Sequence, residues 1–294
     1  MRLLVAGWQG QLARALVEIA PANPRIEALA VGRPALDLVQ PATIVRAMTD
    51  FRPDVIVNAA AYTAVDKAES EPDAAFALNR DGARRLAEEA ARRGAAIIHV
   101  STDYVFDGRK ATPYVEDDAT GPLGVYGRSK LEGEEAVRAA NPRHCIVRTS
   151  WVHSAGGANF VRTMLRLASD RNVVRVVDDQ IGTPTYAPHL AEAILALAQR
   201  VSGAGEGDPG WGTYHAAGTG AVTWCGLARE VFRLSGARGG PVAEVEAITT
   251  ADYPTPARRP ANSRLDCTRL DARHGIRLPV WEAGVVEGLN RLLA

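Results

Sequence analysis

The 294-residue chain has no excess of either charge, because 34 Lys and Arg residues balance 34 Asp and Glu residues. A neutral chain gives no electrostatic reason to bind nucleic acid or an anionic membrane. No apolar run approaches the ~20 residues that a spanning helix needs. The apolar start at Leu3–Ala6 is interrupted by Gly7 too early for a signal peptide. We therefore expect a cytoplasmic protein with neither nucleic acid nor membrane as partner.

Cysteine is also scarce. Cys145, Cys225 and Cys267 are odd in number, far apart in the sequence and form no C-x-x-C pair. A disulfide framework and a structural zinc site are therefore not expected, and a reducing compartment fits. The six histidines show no metal-ligand spacing, and His99 lies in an apolar run where we expect a hydrogen-bonded core residue.

Short apolar runs alternate with longer helical patterns over the first two-thirds of the chain. Such alternation predicts βαβ units, and thus an α/β Rossmann fold with a doubly wound parallel sheet. The predicted strands are Leu3–Ala6, Ile26–Val31, Asp54–Val57, Ala96–Val100 and Cys145–Arg148. The predicted helices are Leu12–Ala20, Thr43–Phe51, Ala74–Arg93 and Lys130–Ala140.

The last third is less regular and richer in glycine and proline turns, as at 202–212, 238–241 and 254–260. We predict a nucleotide-binding Rossmann domain over residues 1–150 and a smaller substrate-binding α/β lid over most of 151–294. The chain is expected to return to the main domain around residues 175–200.

The turn after the first strand carries the cofactor signal. Gly7 and Gly10 allow the backbone to approach a pyrophosphate closely, and the helix that follows offers free N–H groups to it. The second strand ends near Arg33, whose guanidinium suits a ribose 2′-phosphate, so the sequence favours NADPH, with NADH as the alternative. The other interpretation of Arg33 is a solvated loop residue, and Asp37 could instead meet the adenine.

Two further segments carry catalytic side chains. Thr102 and Asp103 follow the fourth strand, and Tyr126 and Lys130 lie one turn apart on a helix. Reduction of a carbonyl needs a proton for its oxygen, which a tyrosine hydroxyl can supply. We expect the Lys130 ammonium to lower the pKa of Tyr126, and the hydroxyl of Thr102 or Ser101 to orient the substrate oxygen.

In these motifs and in several others, the whole chain resembles the dTDP-4-dehydrorhamnose reductases, a family of extended short-chain dehydrogenases. The resemblance rests on GWQGQL at 7–12, NAAAYTAVDKAE at 58–69, STDYVFDG at 101–108, YGRSKLEGE at 126–134, RTSWV at 148–152, NFV at 159–161, DQIGTPT at 179–185, RRPANS at 258–263 and LPVW at 278–281. It implies reduction at C4 of a dTDP-linked 4-keto-6-deoxy sugar by NADPH or NADH, with a nucleotide sugar as the small-molecule partner.

The resemblance also assigns roles to single positions. The catalytic set is Thr102, Asp103, Tyr126 and Lys130. The expected cofactor-binding residues are Gly7, Gln9, Gly10, Gln11, Leu12, Arg33, Asp37, Leu38, Ala59, Ala60, Ala61, Tyr62, Asn79, Ser101, Tyr126 and Lys130. The expected substrate-binding residues are Thr102, Asp103, Tyr104, Val105, Trp151, Asn159, Arg259 and Ser263, where one of Arg258 and Arg259 would meet the diphosphate.

One departure concerns metal. Some members of the resembled family hold a dimer-bridging Mg²⁺ with a glutamate at the position of Ala15, and His189 stands where another acidic ligand is expected. A hard cation prefers carboxylates to imidazole. We therefore expect neither the metal nor that dimer, and predict a monomer or weak homodimer.

Two other functions remain open from sequence. A reductase or epimerase of a different nucleotide-linked 4-keto sugar would keep Tyr126 and Lys130. A non-catalytic regulatory subunit that binds a dinucleotide would be free to lose them, and here Thr102 is retained as well.

Overall fold

A computed structural model describes all residues from Met1 to Ala294. The strands are β1 (Arg2–Ala6), β2 (Glu27–Val31), β3 (Val55–Asn58), β4 (Ala96–Thr102), β5 (His144–Thr149), β6 (Val152–His153), β7 (Val173–Val177), β8 (Ile181–Gly182), β9 (Thr185–Tyr186), β10 (Gly212–His215), β11 (Val222–Thr223) and β12 (Glu244–Ile248). The helices are α1 (Gln11–Ile19), α2 (Pro41–Phe51), α3 (Val65–Ala68), α4 (Pro72–Phe76), α5 (Ala83–Arg92), α6 (Val125–Ala140), α7 (Phe160–Asp170), α8 (Ala187–Val201), α9 (Trp224–Gly236), α10 (Thr268–His274) and α11 (Trp281–Leu292).

Six parallel strands form the main sheet in the order β10-β5-β4-β3-β1-β2. The order reverses between β1 and β3, and ligands of open α/β sheets bind at such a point, beyond the carboxyl ends of the strands. The predicted fold class, a Rossmann sheet with helices on both faces, is confirmed.

Alternate residues of the buried strands face opposite layers of helices. Leu3 and Val5 pack with α1 and α8 on one face, whereas Leu4 and Ile56 pack with α2 and α5 on the other. This two-sided burial explains why the central strands read as continuous apolar runs.

The remaining elements build a smaller α/β layer. Helices α7, α9 and α11 enclose an apolar cluster with β7, which pairs in parallel with β12. Helix α8 packs on α1, and β10 joins the edge of the main sheet beside β5. The proposed division at residue 150, with its return at 175–200, stays a prediction.

The predicted long helix 74–93 is interrupted. Its middle turn, Ala77–Gly82, is a π-helix between α4 and α5. Asn79 in this turn accepts a hydrogen bond from the Tyr62 backbone N–H and donates to Ser129 Oγ on α6. The wider turn thus ties the end of β3 to α6, and such turns are frequent at functional sites. Helix α6 begins at Val125, five residues before its predicted start at Lys130.

None of the helices is both long and apolar enough to cross a membrane.

Candidate active site

A cavity of about 850 Å³ opens at the reversal point of the sheet. It is lined by ten of the residues expected to bind cofactor: Gly7, Gln9, Gly10, Arg33, Asp37, Leu38, Ala59, Ala60, Ala61 and Tyr62. Because glycine and alanine dominate this lining, a ligand can lie close to the backbone. The size and chemistry of the cavity fit an extended dinucleotide.

The two glycines of the first turn act differently. Gly7 has φ +102°, and a Cβ there would lie 3.2 Å from the Ala60 backbone nitrogen, so the turn itself requires glycine. At Gly10 an added Cβ would meet no protein atom within 4 Å. Gly10 is the N-cap of α1 and offers no side-chain cap. The first-turn N–H groups of α1 therefore remain free for an anion.

Six of the residues expected to bind cofactor do not line the cavity. Tyr126 and Lys130 belong to the catalytic cluster described below, and the other four are Gln11, Leu12, Asn79 and Ser101. Leu12 is buried in the core, and the buried Asn79 holds Tyr62 from behind. Gln11 Oε1 accepts a hydrogen bond from Asn159 Nδ2 at 2.9 Å. Ser101 Oγ donates to Glu134 Oε1 at 2.6 Å. The side chains of Gln11 and Ser101 are thus engaged within the protein, and a cofactor contact for these four stays a prediction.

The catalytic candidates meet where β4 ends and α6 begins. Thr102 Oγ1 donates to Asp103 Oδ1 at 2.9 Å and accepts from the Tyr104 backbone N–H at 3.2 Å. Burial raises the pKa of Asp103 to about 6, although hydrogen bonds from Ser263 and Thr102 act to lower it. Its Oδ2 is buried without a protein partner. An orphaned buried oxygen beside a hydroxyl is a ready contact for a bound polar ligand.

Tyr126 lies edge-on to Tyr104, with ring centroids 5.4 Å apart. Burial raises the pKa of Tyr126 to about 12, although a hydrogen bond with Thr102 acts in the opposite direction. The phenol is therefore protonated at neutral pH. A protonated phenol is the form that can give a proton to a substrate oxygen.

The expected effect of Lys130 on Tyr126 is wrong for the ligand-free chain. Lys130 is not among the groups that shift the pKa of Tyr126. Its Nζ instead donates to the Val100 carbonyl at 2.6 Å, because the side chain turns towards β4. Burial lowers the pKa of Lys130 itself to about 8.

Trp151 follows β5 with a backbone φ of +47°, which is rare for a bulky residue. Its indole stacks on Trp224 with ring centroids 3.4 Å apart and planes 6° from parallel. A Cβ at Gly182 would lie 2.4 Å from that ring, so Gly182 is needed to seat it. Sequence reasoning missed Trp224, because the stacking joins the segment after β5 to the start of α9, some seventy positions further along the chain.

The other predicted substrate residues have mixed placements. Ser263 lies beside Asp103 and acts to lower the pKa of that carboxyl, and its contact with substrate stays a prediction. Asn159 caps α7 by accepting from the Arg162 backbone N–H. Val105 is fully buried in a cluster with Phe106, so its side chain packs in the ligand-free chain. A substrate contact by Val105 stays a prediction.

Of the two lid arginines, Arg259 is the one whose side chain is held in place by contacts within the protein. Its Nη2 donates to Asp66 Oδ2 at 2.7 Å, and the Ala257 N–H donates to the same carboxylate. The lid loop is thus tied to α3, which follows the end of β3. Arg258 makes no side-chain hydrogen bond or ion pair.

Polar residues behind the site were also missed. The buried Glu134 accepts from Arg148 Nε at 2.9 Å and from Arg138 Nη2 at 2.8 Å. Glu134 and Arg148 fall within the motifs at 126–134 and 148–152, but only the fold shows that β5 meets α6 here. The pairing neutralises a carboxylate beneath Ser101.

The two positions considered for a metal, Ala15 and His189, make other contacts. Ala15 is buried in the core, and the nearby Glu18, three residues further along α1, pairs with Arg291 at 2.7 Å. His189 Nε2 lies 3.0 Å from Glu287 Oε1. The chain has no group of three or more His, Cys, Asp and Glu side chains arranged for a metal ion. The predicted absence of a dimer-bridging Mg²⁺, like the oligomeric state, stays a prediction.

Comparison with known proteins now identifies the family. The model described as "RmlD substrate binding domain" matches residues 1–294. A dTDP-4-dehydrorhamnose reductase of Sinorhizobium fredii is 52% identical over 96% of this chain and 94% of its own length.

Two solved structures have the same fold throughout. A dTDP-4-dehydrorhamnose reductase of Clostridium acetobutylicum has a TM-score of 0.93 and 35% identity, with full coverage of both chains. That of Bacillus anthracis, in complex with NADP, has a TM-score of 0.91 and 33% identity over 98% of each chain. The chain therefore belongs to the RmlD family, the family of the dTDP-4-dehydrorhamnose reductases.

Proposed function

We propose that this chain reduces dTDP-4-dehydro-6-deoxy-L-mannose (dTDP-4-dehydrorhamnose) to dTDP-L-rhamnose, using NADPH. The observation that carries the proposal is the convergence of the Thr102, Asp103 and Tyr126 side chains at the end of β4. The reductase names of the relatives support the same substrate.

NADPH, when bound, supplies the hydride for C4 of the sugar. The backbone at Gly7 and Gly10 would hold the pyrophosphate at the start of α1. Arg33 at the cavity wall would meet the 2′-phosphate, and the NADP complex of the Bacillus anthracis relative supports this preference.

Tyr126 gives the proton that the C4 oxygen needs. Its raised pKa keeps it protonated until the oxygen gains negative charge beside it. The Thr102 hydroxyl, whose single proton would turn from Asp103 Oδ1 to that oxygen, orients it as a second donor, and Asp103 Oδ2 accepts from a sugar hydroxyl. The Lys130 ammonium would hold a cofactor ribose hydroxyl with an N–H that the protein leaves free.

The lid would bind the dTDP handle. Trp151 offers an aromatic face held rigid by Trp224, and Arg259 offers a guanidinium near the end of β3. An arginine fork suits a diphosphate because it can bond two oxygens at once.

The test is loss of absorbance at the reduced-nicotinamide band with purified protein, NADPH and enzymatically prepared keto-sugar, with and without EDTA. We expect one equivalent of NADPH to be consumed per dTDP-rhamnose formed, with no effect of EDTA. No oxidation in a protein that still binds NADPH would contradict the proposal. It would favour another 4-keto sugar or a regulatory role. A rate that falls on EDTA addition would contradict the metal-free site.

A further inference from the structure

Two buried side chains lie behind Lys130, outside the catalytic set. His99 Nε2 is 3.4 Å from Lys130 Nζ, and His99 Nδ1 is 3.0 Å from the Asn58 side-chain amide. His99 and Asn58 are each 1% exposed. They are paired neighbours on β4 and β3, so the sheet register itself holds the two side chains together.

The hydrogen-bonding capacity of these groups leaves one arrangement for a charged Lys130. An ammonium can only donate, so His99 Nε2 must present its lone pair. The ring proton then lies on Nδ1 and needs an acceptor, which only Asn58 Oδ1 can provide. As placed, Asn58 turns Nδ2 towards the ring and leaves Oδ1 buried without a partner. A half-turn of the Asn58 amide exchanges the places of Oδ1 and Nδ2, so that Oδ1 accepts the ring N–H.

Charge favours the same arrangement. Burial and the neighbouring Lys130 and Arg138 charges hold the pKa of His99 well below its usual range, so the ring is neutral. The other charged groups around Lys130 are Glu134, on its own helix, and Arg148, on β5. Glu134 is neutralised by Arg138 and Arg148, which leaves His99 as the side-chain acceptor within reach of Nζ.

We propose that His99, fixed in its Nδ1–H tautomer by Asn58, is a positioning residue that accepts a hydrogen bond from the Lys130 ammonium. The Val100 carbonyl and His99 then bind two of the three N–H groups and leave the third for a ligand. The effect of the His99–Lys130 hydrogen bond on turnover rests on the proposed function, whereas the hydrogen bond itself does not.

The hydrogen bond has a measurable effect on the ligand-free protein. A neutral acceptor stabilises the ammonium against burial, so its loss makes the charged form of Lys130 less stable. We expect His99→Leu to lower the pKa of Lys130 by about one unit. His99→Gln places an amide oxygen near the former Nε2 and should return the pKa towards that of the wild type.

The chain has only three lysines, Lys67, Lys110 and Lys130, which makes the measurement direct. Lysine labelled with ¹³C at Cε gives three resolved signals to titrate, and a Lys130→Arg variant assigns the one of interest. The matched control is His144→Leu, which removes a histidine from the neighbouring strand β5 and should leave the Lys130 titration unchanged.

The tautomer is tested on the wild-type chain by ¹⁵N–¹H long-range spectra of the histidine rings, at about pH 6.5 and thus below the pKa of Lys130. An Nε2–H ring at His99, or a Lys130 titration that His99→Leu does not move, would overturn the proposal. If His99→Leu fails to fold, the tautomer and the His99→Gln titration still decide it.

Turnover gives a second readout. The high-pH limit of kcat should move to lower pH in His99→Leu by the same amount as the Lys130 titration, while the KM for the keto-sugar is unchanged. A kcat limit that stays in place while the Lys130 titration moves would overturn the catalytic part alone. If the chain does not turn over this keto-sugar at all, the proposed function fails while the spectra still test His99.

Discussion

The cofactor cavity and the catalytic cluster lie at the same edge of the sheet but differ in the kinds of residue that form them. The cavity is walled by glycine, alanine and backbone, with Arg33 and Asp37 as its charged residues. The catalytic cluster consists of buried polar side chains, of which Asp103, Tyr126 and Lys130 all have displaced pKa values. The first region can recognise a ligand by shape and close approach, whereas the second depends on groups taken out of water.

The difference predicts how each region fails. A change in the cavity should weaken binding and leave chemistry and folding intact. A change at Asp103 or Tyr126 in the cluster should alter rate or pH dependence and leave the binding of NADPH intact. Four substitutions test this separation, from the largest expected effect to the smallest.

Tyr126→Phe should break the cluster alone. Removing the proton donor is expected to lower kcat about 10³-fold, because general acids contribute on that order. The Kd for NADPH, followed by quenching of tryptophan fluorescence, should stay near that of the wild type. Tyr114→Phe, at a stacked tyrosine outside the catalytic set, is the control. Near-normal turnover in Tyr126→Phe would remove this residue from the mechanism.

Asp103→Asn should change stability in a pH-dependent way. The folded pKa of Asp103, about 6, lies above its ordinary value. Its contribution to stability is therefore full below about pH 4 and is lost as pH rises through about 6. The variant should gain up to about 3 kcal/mol at pH 7.5 and nothing at pH 4, measured by urea unfolding. Asp107→Asn, whose carboxyl has a lowered pKa, should show the opposite sign. An equal gain at both pH values would disprove the burial argument.

Gly10→Val should impair cofactor binding in the cavity and leave the catalytic cluster unchanged. A Cβ at Gly10 meets no protein atom within 4 Å, so the melting temperature should hold while the Kd for NADPH rises about 100-fold, or about 2.7 kcal/mol. Gly7→Val is the informative partner. Its positive φ and the nearby Ala60 backbone should cost stability as well as binding. Unchanged NADPH affinity in Gly10→Val would place the cofactor elsewhere.

Arg33→Ala should give the smallest effect and sharpen the cofactor preference. Loss of one charge-assisted contact is expected to raise the Kd for NADPH about tenfold and to leave that for NADH unchanged. Parallel binding titrations of the two nucleotides measure this. Equal changes, or none, would favour the alternative of a solvated Arg33.

Sequence predicted the sheet better than the lid for a physical reason. The buried strands β1 and β4 and the turn at Gly7 carry local signals, namely apolar runs and a glycine before a helix. Strand β10 carries no such signal, because Gly212–His215 is a strand only through its pairing with β5.

The candidate site followed the same pattern. Tyr126 and Lys130 are four residues apart, so their common helix face is visible in the sequence. The direction in which Lys130 turns is not, since it depends on the Val100 carbonyl of another element. Likewise the stacking of Trp224 on Trp151 and the pairing of Asp66 with Arg259 arise from distant segments.

The position of β10 at the edge of the main sheet governs the order in which the chain can be assembled. Until residue 201 leaves the ribosome α1 lacks the cover of α8, and until residue 215 does so β5 presents an open strand edge. An unpaired edge beside bare apolar surface invites association between nascent chains. Synthesis and sheet closure are therefore coupled over most of the molecule, and the N-terminal strands depend for protection on residues translated long after them.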